Sequence, residues 1–472
     1  MTSETRKETT LDPAFSSALQ ALLGVKIEGF RQLQECQKLT AGASQETFRI
    51  LVSTDQGDRQ FALRRCPPTQ QGGTTLSQIG LETEAQLLQL AATAGIPVPR
   101  VIHVLTESDE LGEGFLMAWL EGETLGQRIV KSEKFADIRP HLARQCGETL
   151  ARLHAIDIDA RMRKRLPTVS PAALVQETWE WYQGLNVPAP MIDYSARWLL
   201  ENLPRESRQT LVHGDFRNGN LMINESGLHA VLDWELTQIG DPVRDLGWLC
   251  VNSWRFGKAE LPVGGFGTVE DLLAGYQAVS GIEISREDLR FWQVFGSFWW
   301  SITTLAMAST WRSGETPSLE RPVIGRRSSE AQMDCVNLLV PGKFEQPEDP
   351  ALDNGTQLPM PAELLEGVRT FLKDEVAASA NSHFSFLAKV AANSLGIAQR
   401  EFLHGPRLAL AEHGRLQALL GTGGLDELRW KLAEALRSGL PLKTPGLADH
   451  LRLTVAGQLS IDQPHYSALS GS

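Results

Sequence analysis

The first 120 residues alternate between hydrophobic and polar positions in a way that predicts a small α+β lobe. Two strand-like runs, 46–53 and 59–65, flank a polar turn and predict a hairpin, because side chains of a strand alternate with a period of two. Residues 79–94 carry apolar side chains at helical spacing and end at a glycine followed by two prolines. Further strand-like runs follow at 98–105 and 114–120. This order predicts an antiparallel sheet with one helix.

Helical periodicity dominates from about residue 125, for example over 138–154, 172–185 and 285–310. The exception is 211–234, which predicts two short strands. Five prolines among acidic and polar residues over 341–361 indicate a linker. The helical pattern then resumes at 362–380, 382–403 and 405–420, with two shorter helices after it. The predicted domains are an N-terminal lobe at 1–120, a C-terminal lobe at 121–345, a linker at 346–361 and an all-helical domain at 362–466.

Composition and charge narrow the class of protein. A chain of 472 residues, 42% hydrophobic and 22% charged, is typical of a globular protein with two or three domains. A net charge of −12 argues against a nucleic-acid partner but allows one nucleotide, whose charge a magnesium ion can offset. The most apolar stretch, 295–307, is too short to cross a membrane. Five scattered cysteines and an N-terminus without a signal-peptide pattern predict a cytoplasmic protein with no membrane partner.

Residues 213–220 read His-Gly-Asp-Phe-Arg-Asn-Gly-Asn, and Asp233 follows thirteen residues after Asn220. If the intervening residues form a hairpin, Asn220 and Asp233 lie at its two open ends, and Asp215 lies on the loop that enters the same corner. Two carboxylates and an amide oxygen are the ligands that a magnesium triphosphate complex requires. An isolated His-Gly-Asp triplet is usually only a turn, so the prediction of a phosphoryl-transfer site depends on the complete set.

The motif H-G-D-x-x-x-x-N resembles that of the aminoglycoside phosphotransferase and choline kinase superfamily, relatives of the protein kinases. The resemblance implies a bilobal protein-kinase-like fold, followed here by an all-α C-terminal domain, with ATP and Mg²⁺ as cofactors. It also implies that Asp215 accepts the proton of the attacking hydroxyl. Asn220 would hold one magnesium ion, and Asp233 would hold magnesium that bridges the phosphates. His213 is interpreted as a structural brace of this loop. Asp241 and Asp245 match a family segment after the metal-binding aspartate and are interpreted as structural caps and loop braces, with a role as ligands as the alternative.

The first lobe offers candidate nucleotide contacts. In the strand-like run 61–64, Ala62 and Arg64 share a face, where kinases place a small residue over adenine and a lysine on the phosphates. Arginine can bind phosphate oxygens bidentately, but its side chain is bulkier than that of lysine and places the charge at a different point. Glu84 is its expected partner in preference to Glu82, and the alternative is that both are solvated helix charges. The other candidates lie in the loop 40–44 and in a hinge-like strand that could also be an ordinary buried strand: Ser44, Met117 and Trp119.

Three short runs, L-R-R-x-P-P at 63–68, D-W-E at 233–235 and G-R-R at 325–327, resemble the branch that includes the kinase-like domain fused to acyl-CoA dehydrogenases. The expected activity is therefore ATP-dependent phosphorylation of a hydroxyl on a small metabolite, such as a hydroxy acid or a hydroxyacyl thioester. Guanidinium groups suit an anionic substrate, although surface solvation or ion pairing is the alternative. The candidate substrate contacts are Glu235, Arg312, Arg326 and Arg327.

Other functions stay open from the sequence. An aminoglycoside kinase would need a cleft lined by carboxylates, because its substrates are polycations. Arg64 and the extra domain suggest a second hypothesis, a catalytically weak or inactive nucleotide-binding scaffold. A third hypothesis is that the chain is an adaptor for a partner protein. Residues 361–466 resemble an uncharacterised helical domain that accompanies bacterial phosphotransferases of this type. Homodimerisation or docking of a protein partner through this domain is a hypothesis.

Overall fold

The structure is a computed structural model that describes residues 12–41, 45–67, 79–315, 318–348 and 360–469. The chain divides into two compact units. Unit 1 comprises Met1–Thr168, Arg208–Asp245 and Glu270–Ile282, and unit 2 comprises Val169–Ser207, Leu246–Val269 and Glu283–Ser472. The domain boundaries expected from the sequence stay a prediction, and residues 349–359 of the expected linker lie outside the described part of the chain.

The regular structure of the described residues comprises nine strands, seventeen α-helices, a π-helix (Phe371–Val376) and three short 3₁₀ helices (Glu107–Asp109, Glu133–Phe135 and Asn252–Trp254). The strands are β1 (Phe30–Ala41), β2 (Glu46–Thr54), β3 (Gly57–Cys66), β4 (Val101–Val104), β5 (Glu113–Ala118), β6 (Thr210–Val212), β7 (Leu221–Asn224), β8 (Gly227–Val231) and β9 (Gln238–Gly240). The helices are α1 (Pro13–Lys26), α2 (Leu81–Thr93), α3 (Gly126–Lys131), α4 (Arg139–His154), α5 (Ala160–Arg165), α6 (Pro171–Gly184), α7 (Pro190–Glu201), α8 (Val243–Leu249), α9 (Val269–Ser280), α10 (Arg286–Arg312), α11 (Glu320–Arg326), α12 (Ser328–Leu339), α13 (Pro361–Thr370), α14 (Ala377–Ser379), α15 (Ser382–Leu420), α16 (Leu425–Arg437) and α17 (Leu447–Asp462).

Unit 1 begins with a five-stranded antiparallel sheet in the order β1-β2-β3-β5-β4. Every second side chain of β2, including Phe48, Ile50 and Val52, is buried, as the alternating sequence predicts. These side chains share a core with Phe15 and Leu19 of α1, a helix that the sequence analysis does not anticipate. The predicted β2–β3 hairpin is confirmed, and so is the α+β class of this lobe.

The remainder of unit 1 positions a second small set of strands. Strands β7 and β8 pair antiparallel around a turn at Asn224–Gly227, and β6 pairs with β9. Helix α4 lies so close to α9 that a Cβ atom on Gly147 would be 2.1 Å from the carbonyl oxygen of Leu272. The predicted hairpin between residues 220 and 233 is therefore present and is supported by closely packed helices.

Unit 2 is helical, and no helix in the described part of the chain combines the length and apolarity that a membrane crossing requires. The predicted break between residues 403 and 405 is wrong, because α15 runs unbroken for 39 residues with Pro406 inside it. Proline removes one helical hydrogen bond. Buried positions from Ala388 to Leu416 hold this helix against α13, α16 and α17, and that packing outweighs the loss.

Candidate active site

The hairpin of β7 and β8 brings the motif residues together. The N–H of Leu232 donates to the carbonyl oxygen of Asn220 at 2.8 Å, which extends the strand pairing by one step and leaves Asp233 at the open end. The side-chain amide of Asn220 donates to the main-chain oxygen of Asp215 at 3.0 Å and to its carboxylate at 2.5 Å. Arg217 Nε donates to the other carboxylate oxygen of Asp215 at 3.0 Å. Asp215 is thus a buried carboxylate held from two sides.

The loop that carries Asp215 is fixed by Asp245. Its carboxylate accepts the main-chain N–H groups of His213 at 2.8 Å and Gly214 at 2.9 Å, and it contacts His154 Nε2 at 3.2 Å. Burial raises the pKa of Asp245, but the hydrogen bond from His154 and the further charges and donors around it lower the pKa below its usual range. Gly214 has a φ of +83°, and a Cβ atom there would lie 2.3 Å from a carbonyl oxygen, so this turn requires glycine.

His213 is a brace within this loop. The side chain is fully buried, and burial lowers the pKa of the imidazole although the charges of nearby aspartates oppose the shift. Its Nε2 lies 3.1 Å from the carbonyl oxygen of Leu232, and its Nδ1 accepts the N–H of Asp215 at 3.2 Å. The imidazole ring thus joins the loop that carries Asp215 to the residue before Asp233, as the interpretation of His213 as a brace requires.

Arg64 of β3 joins three carboxylates. Its Nη1 lies 3.1 Å from Glu84 Oε1, and its Nη2 lies 3.3 Å from Asp233 Oδ1 and 3.2 Å from Glu235 Oε2. Nη2 also donates to Gln45 at 2.9 Å. The expected partnership of Arg64 with Glu84 is present in the structure, whereas Glu82 pairs with a different arginine on the helix surface.

Negative charge exceeds positive charge in this cluster. Burial raises the pKa of Glu84 to about 7 although Arg64 opposes the shift. Burial also raises the pKa of Glu235, with Asp233 adding to the effect. Four carboxylates face the two guanidinium groups of Arg64 and Arg217. A bound cation would lower the electrostatic energy of this site.

The donor set fits a magnesium ion that also binds phosphate. The described residues contain no group of three or more His, Cys, Asp or Glu side chains that would hold a metal by themselves. Magnesium usually takes one or two protein ligands and completes its octahedron with water and substrate phosphates. Asn220 and Asp233 at the end of the hairpin provide two oxygen ligands of the preferred kind. The site therefore suits magnesium bound together with a nucleotide.

The backbone groups of Met117 and Trp119, the predicted adenine contacts at the end of β5 and just beyond it, already take part in hydrogen bonds of the sheet. Met117 is paired with strands on both sides, and the N–H of Ala118 donates to a main-chain carbonyl at 2.9 Å. The N–H of Trp119 donates to another at 3.4 Å, which is a long hydrogen bond. Adenine recognition by this segment stays a prediction and would depend on its carbonyl groups or on exchange of the Trp119 bond. Ser44 lies outside the described residues.

The three predicted substrate arginines all lie in unit 2, whereas Glu235 lies in unit 1. Arg312 is the exposed last residue of α10. Arg326 pairs with Glu401 and, at 2.6 Å, with Asp462, and Arg327 pairs at 3.0 Å with a glutamate one turn further along. The ion pairs give Arg326 and Arg327 a structural role, and their contact with a substrate stays a prediction.

Two residues of the cluster are not anticipated by the sequence analysis, Arg217 and Gln45. Arg217 occupies a variable position of the motif, and its basic side chain two residues after Asp215 is the available signal. Gln45 reaches Arg64 from the residue before β2, and no pattern in the sequence marks it.

Comparison with known proteins agrees with this geometry. A model of the phosphotransferase enzyme family matches residues 35–282, and a model of a domain of unknown function, DUF6285, matches residues 378–466. Acyl-CoA dehydrogenase family member 10 of Mus musculus is 31% identical over 50% of this chain and 22% of its own length. Acyl-CoA dehydrogenase family member 11 of Homo sapiens is 25% identical over 69% of this chain and 42% of its own length. This chain thus spans less than half of either relative.

Among solved structures, a Ralstonia eutropha JMP134 protein provisionally described as an aminoglycoside phosphotransferase superposes with a TM-score of 0.56. It is 20% identical, and the match covers 68% of this chain and 96% of that protein, so it supports the kinase-like fold. The family model covers more than half of the 472 residues, and ATP binding is typical of its members. The chain therefore belongs to the phosphotransferase enzyme family, in the branch related to the kinase-like regions of acyl-CoA dehydrogenase family members 10 and 11.

Proposed function

We propose that unit 1 transfers the γ-phosphoryl group of ATP to a hydroxyl group of a small metabolite. The observation that carries this proposal is the clustering of motif residues from distant parts of the chain. The Asn220 amide contacts the Asp215 carboxylate at 2.5 Å, and Arg64 links Glu84 to Asp233. Phosphoryl transfer depends mainly on positioning and charge neutralisation, and these are the properties that the cluster offers.

Asp215 is the proposed general base. Hydrogen bonds from Asn220 and Arg217 fix the carboxylate, so that its remaining lone pairs can accept the proton of an incoming hydroxyl. Asn220 and Asp233 would hold magnesium, which when bound neutralises charge on the phosphates.

Arg64 would contact phosphate oxygens while it keeps its buried partner Glu84. Its three ion pairs measure 3.1–3.3 Å, longer than the 2.7–2.9 Å or so of strong charged hydrogen bonds. An exchange of Asp233 or Glu235 for phosphate oxygens would therefore sacrifice little interaction energy.

The proposed acceptor is a hydroxy acid or a hydroxyacyl thioester. The support is the likeness to acyl-CoA dehydrogenase family members, which links this branch to acyl chemistry rather than to antibiotics. The likeness to the Ralstonia protein concerns the fold alone at 20% identity and does not favour an aminoglycoside. We also propose a cytoplasmic location, supported by five free cysteine thiols.

Release of ADP tests this function. Purified protein would be incubated with ATP, magnesium and a panel of hydroxy acids and their thioesters, and ADP would be measured against enzyme without acceptor. Asp215→Asn should abolish acceptor-dependent release, because the amide cannot accept the proton as the carboxylate does. Asp58→Asn makes the same change at an exposed turn of unit 1 and should leave the rate unchanged. Equal rates in the two variants would contradict the role of Asp215.

A nucleotide-binding scaffold without turnover is the second candidate. Arg64 favours it, because a guanidinium held by three carboxylates is a departure from the lysine of active kinases. Calorimetric binding of ATP together with no ADP release for any acceptor would support this candidate and exclude the first.

A further inference from the structure

Unit 2 contains a cavity of about 600 Å³ that the phosphotransferase site does not use. Helices α7, α12, α15, α16 and α17 contribute to its wall, so most of the lining comes from the region that matches the domain of unknown function. Its volume falls within the range of roughly 300–1,000 Å³ that is usual for small-molecule sites. The apolar part of the wall includes Met191, Leu408, Trp430, Val455 and Ile461.

The acidic side chains on this wall already have partners. Glu412 is buried and accepts two hydrogen bonds from Arg429, at 2.9 and 2.6 Å. Arg429 also pairs with Asp426 at 3.1 Å, and Glu401 pairs with Arg326. A cationic ligand would therefore have to compete with existing ion pairs for each of these carboxylates.

Arg415 differs from the other charged residues of the wall. Its Nη2 donates to the hydroxyl of Thr454 at 3.1 Å, and no ion pair joins it to a carboxylate among the residues that the structure describes. Its Nε is buried without a hydrogen-bond partner there. A guanidinium has five N–H donors, and burying one of them without a hydrogen-bond partner costs free energy. Burial lowers the pKa of Arg415, and the negative charge of Glu412 on the same wall opposes this shift only in part.

His450 adds a second donor to the same wall. The side chain is 1% exposed, and its Nδ1 has no hydrogen-bond partner in the described part of the protein. Burial lowers the pKa of His450 to about 4, so the ring is neutral at physiological pH. Nδ1 can therefore carry the ring proton without introducing a charge, and a rotation of the ring that exposes Nδ1 to the cavity would let it donate to an acceptor there.

We propose that this cavity binds a small organic anion with an apolar body. The carboxylate or phosphate head accepts hydrogen bonds from Arg415 and His450, and the body lies against Trp430 and Leu408. A carboxylate and a phosphate can each accept two parallel hydrogen bonds from a guanidinium group, so the proposed ligand class includes both. The domain of unknown function thereby becomes a ligand-binding element that is separate from the phosphoryl-transfer chemistry.

Isothermal titration of the full chain with hexanoate, hexyl phosphate, hexanol and hexylamine tests this proposal. The two anions should bind at least tenfold more tightly than the alcohol and the amine, and the tighter anion identifies the preferred head group. Arg415→Gln should weaken anion binding at least tenfold, because a charge-assisted hydrogen bond is lost. Arg407→Gln, at an exposed position of the same helix, removes the same charge and should bind like the unaltered protein.

A second variant does not depend on the arginine. Ala409→Phe adds a ring at the cavity wall and should remove binding of both anions, with circular dichroism confirming that the helices are retained. Absence of anion binding to the unaltered protein would overturn the proposal. So would equal binding of hexanol and hexanoate, or equal anion affinity of Arg415→Gln and Arg407→Gln.

Discussion

The pH dependence of the Arg64–Glu84 pair gives a quantitative test of the site's electrostatics. Glu84 is 2% exposed, and burial raises its pKa to about 7 from an ordinary value of 4.5. When helix α2 opens, the carboxyl returns to water and regains its ordinary pKa. Between these two values the closed helix binds a proton that the open helix does not bind. Proton binding to Glu84 therefore stabilises the closed helix fully below about pH 4.5, and this stabilisation is lost as the pH rises through 7.

This shift in the pKa of Glu84 corresponds to about 3 kcal/mol in the free energy of opening helix α2. The glutamine of Glu84→Gln cannot titrate and removes this dependence. Hydrogen exchange of the amides in α2, corrected for the intrinsic rate at each pH and measured without magnesium, gives the opening free energy. From about pH 5 to about pH 8, the opening free energy of the unaltered protein should fall by about 2–3 kcal/mol relative to the variant.

Glu82→Gln is the matched control on the same helix. Glu82 is about half exposed and pairs with Arg165 at 3.1 Å, and an exposed ion pair contributes less than about 1 kcal/mol. This control should therefore follow the unaltered protein across the pH range. If Glu84→Gln also follows it, then Glu84 does not carry the raised pKa, and the account of the charge in this cluster is refuted.

Three further outcomes follow from individual contacts. Asp233→Asn should lower phosphoryl transfer at least about 100-fold and raise the magnesium concentration needed for half the residual rate, and unchanged magnesium dependence would argue against its role. Gly214→Ala should reduce the free energy of unfolding in urea by more than about 3 kcal/mol, because the added Cβ atom would clash with a carbonyl oxygen. The control is Gly57→Ala, whose added Cβ atom would have no neighbour within 4 Å, and it should reduce the same free energy by about 1–2 kcal/mol. Arg437→Leu leaves the fully buried Asp193 without its ion pair and should cost about 3–5 kcal/mol in the same assay; a cost under about 1 kcal/mol would refute that pairing.

The sequence predicts best those features that depend on local spacing. The positions of Asn220 and Asp233 follow from a hairpin whose turn residues are visible in the sequence, and the structure contains that hairpin. Helix α2 is likewise marked by its apolar spacing and by the glycine after it. The break expected near Pro406 is wrong, because tertiary packing of a long helix outweighs a local signal.

Contacts between residues far apart in the sequence could not be predicted from local spacing. Arg64 and Asp233 are 169 positions apart, and no periodicity indicates that one guanidinium contacts Glu84, Asp233 and Glu235 together. The structural use of Arg326 is a second case. Its pairing with Asp462 depends on how α11 and α17 pack, whereas the sequence shows only an arginine in a short motif.

In the proposed reaction, Asp215 removes a proton from a metabolite hydroxyl that is phosphorylated by ATP. The most direct measurement adds γ-labelled ATP and magnesium to a small-molecule cell extract and searches by mass spectrometry for metabolites that acquire the label. We expect at least one labelled hydroxy acid or hydroxyacyl product with the unaltered protein and none with Asp215→Asn. Labelled products that form equally with both proteins would contradict the claim.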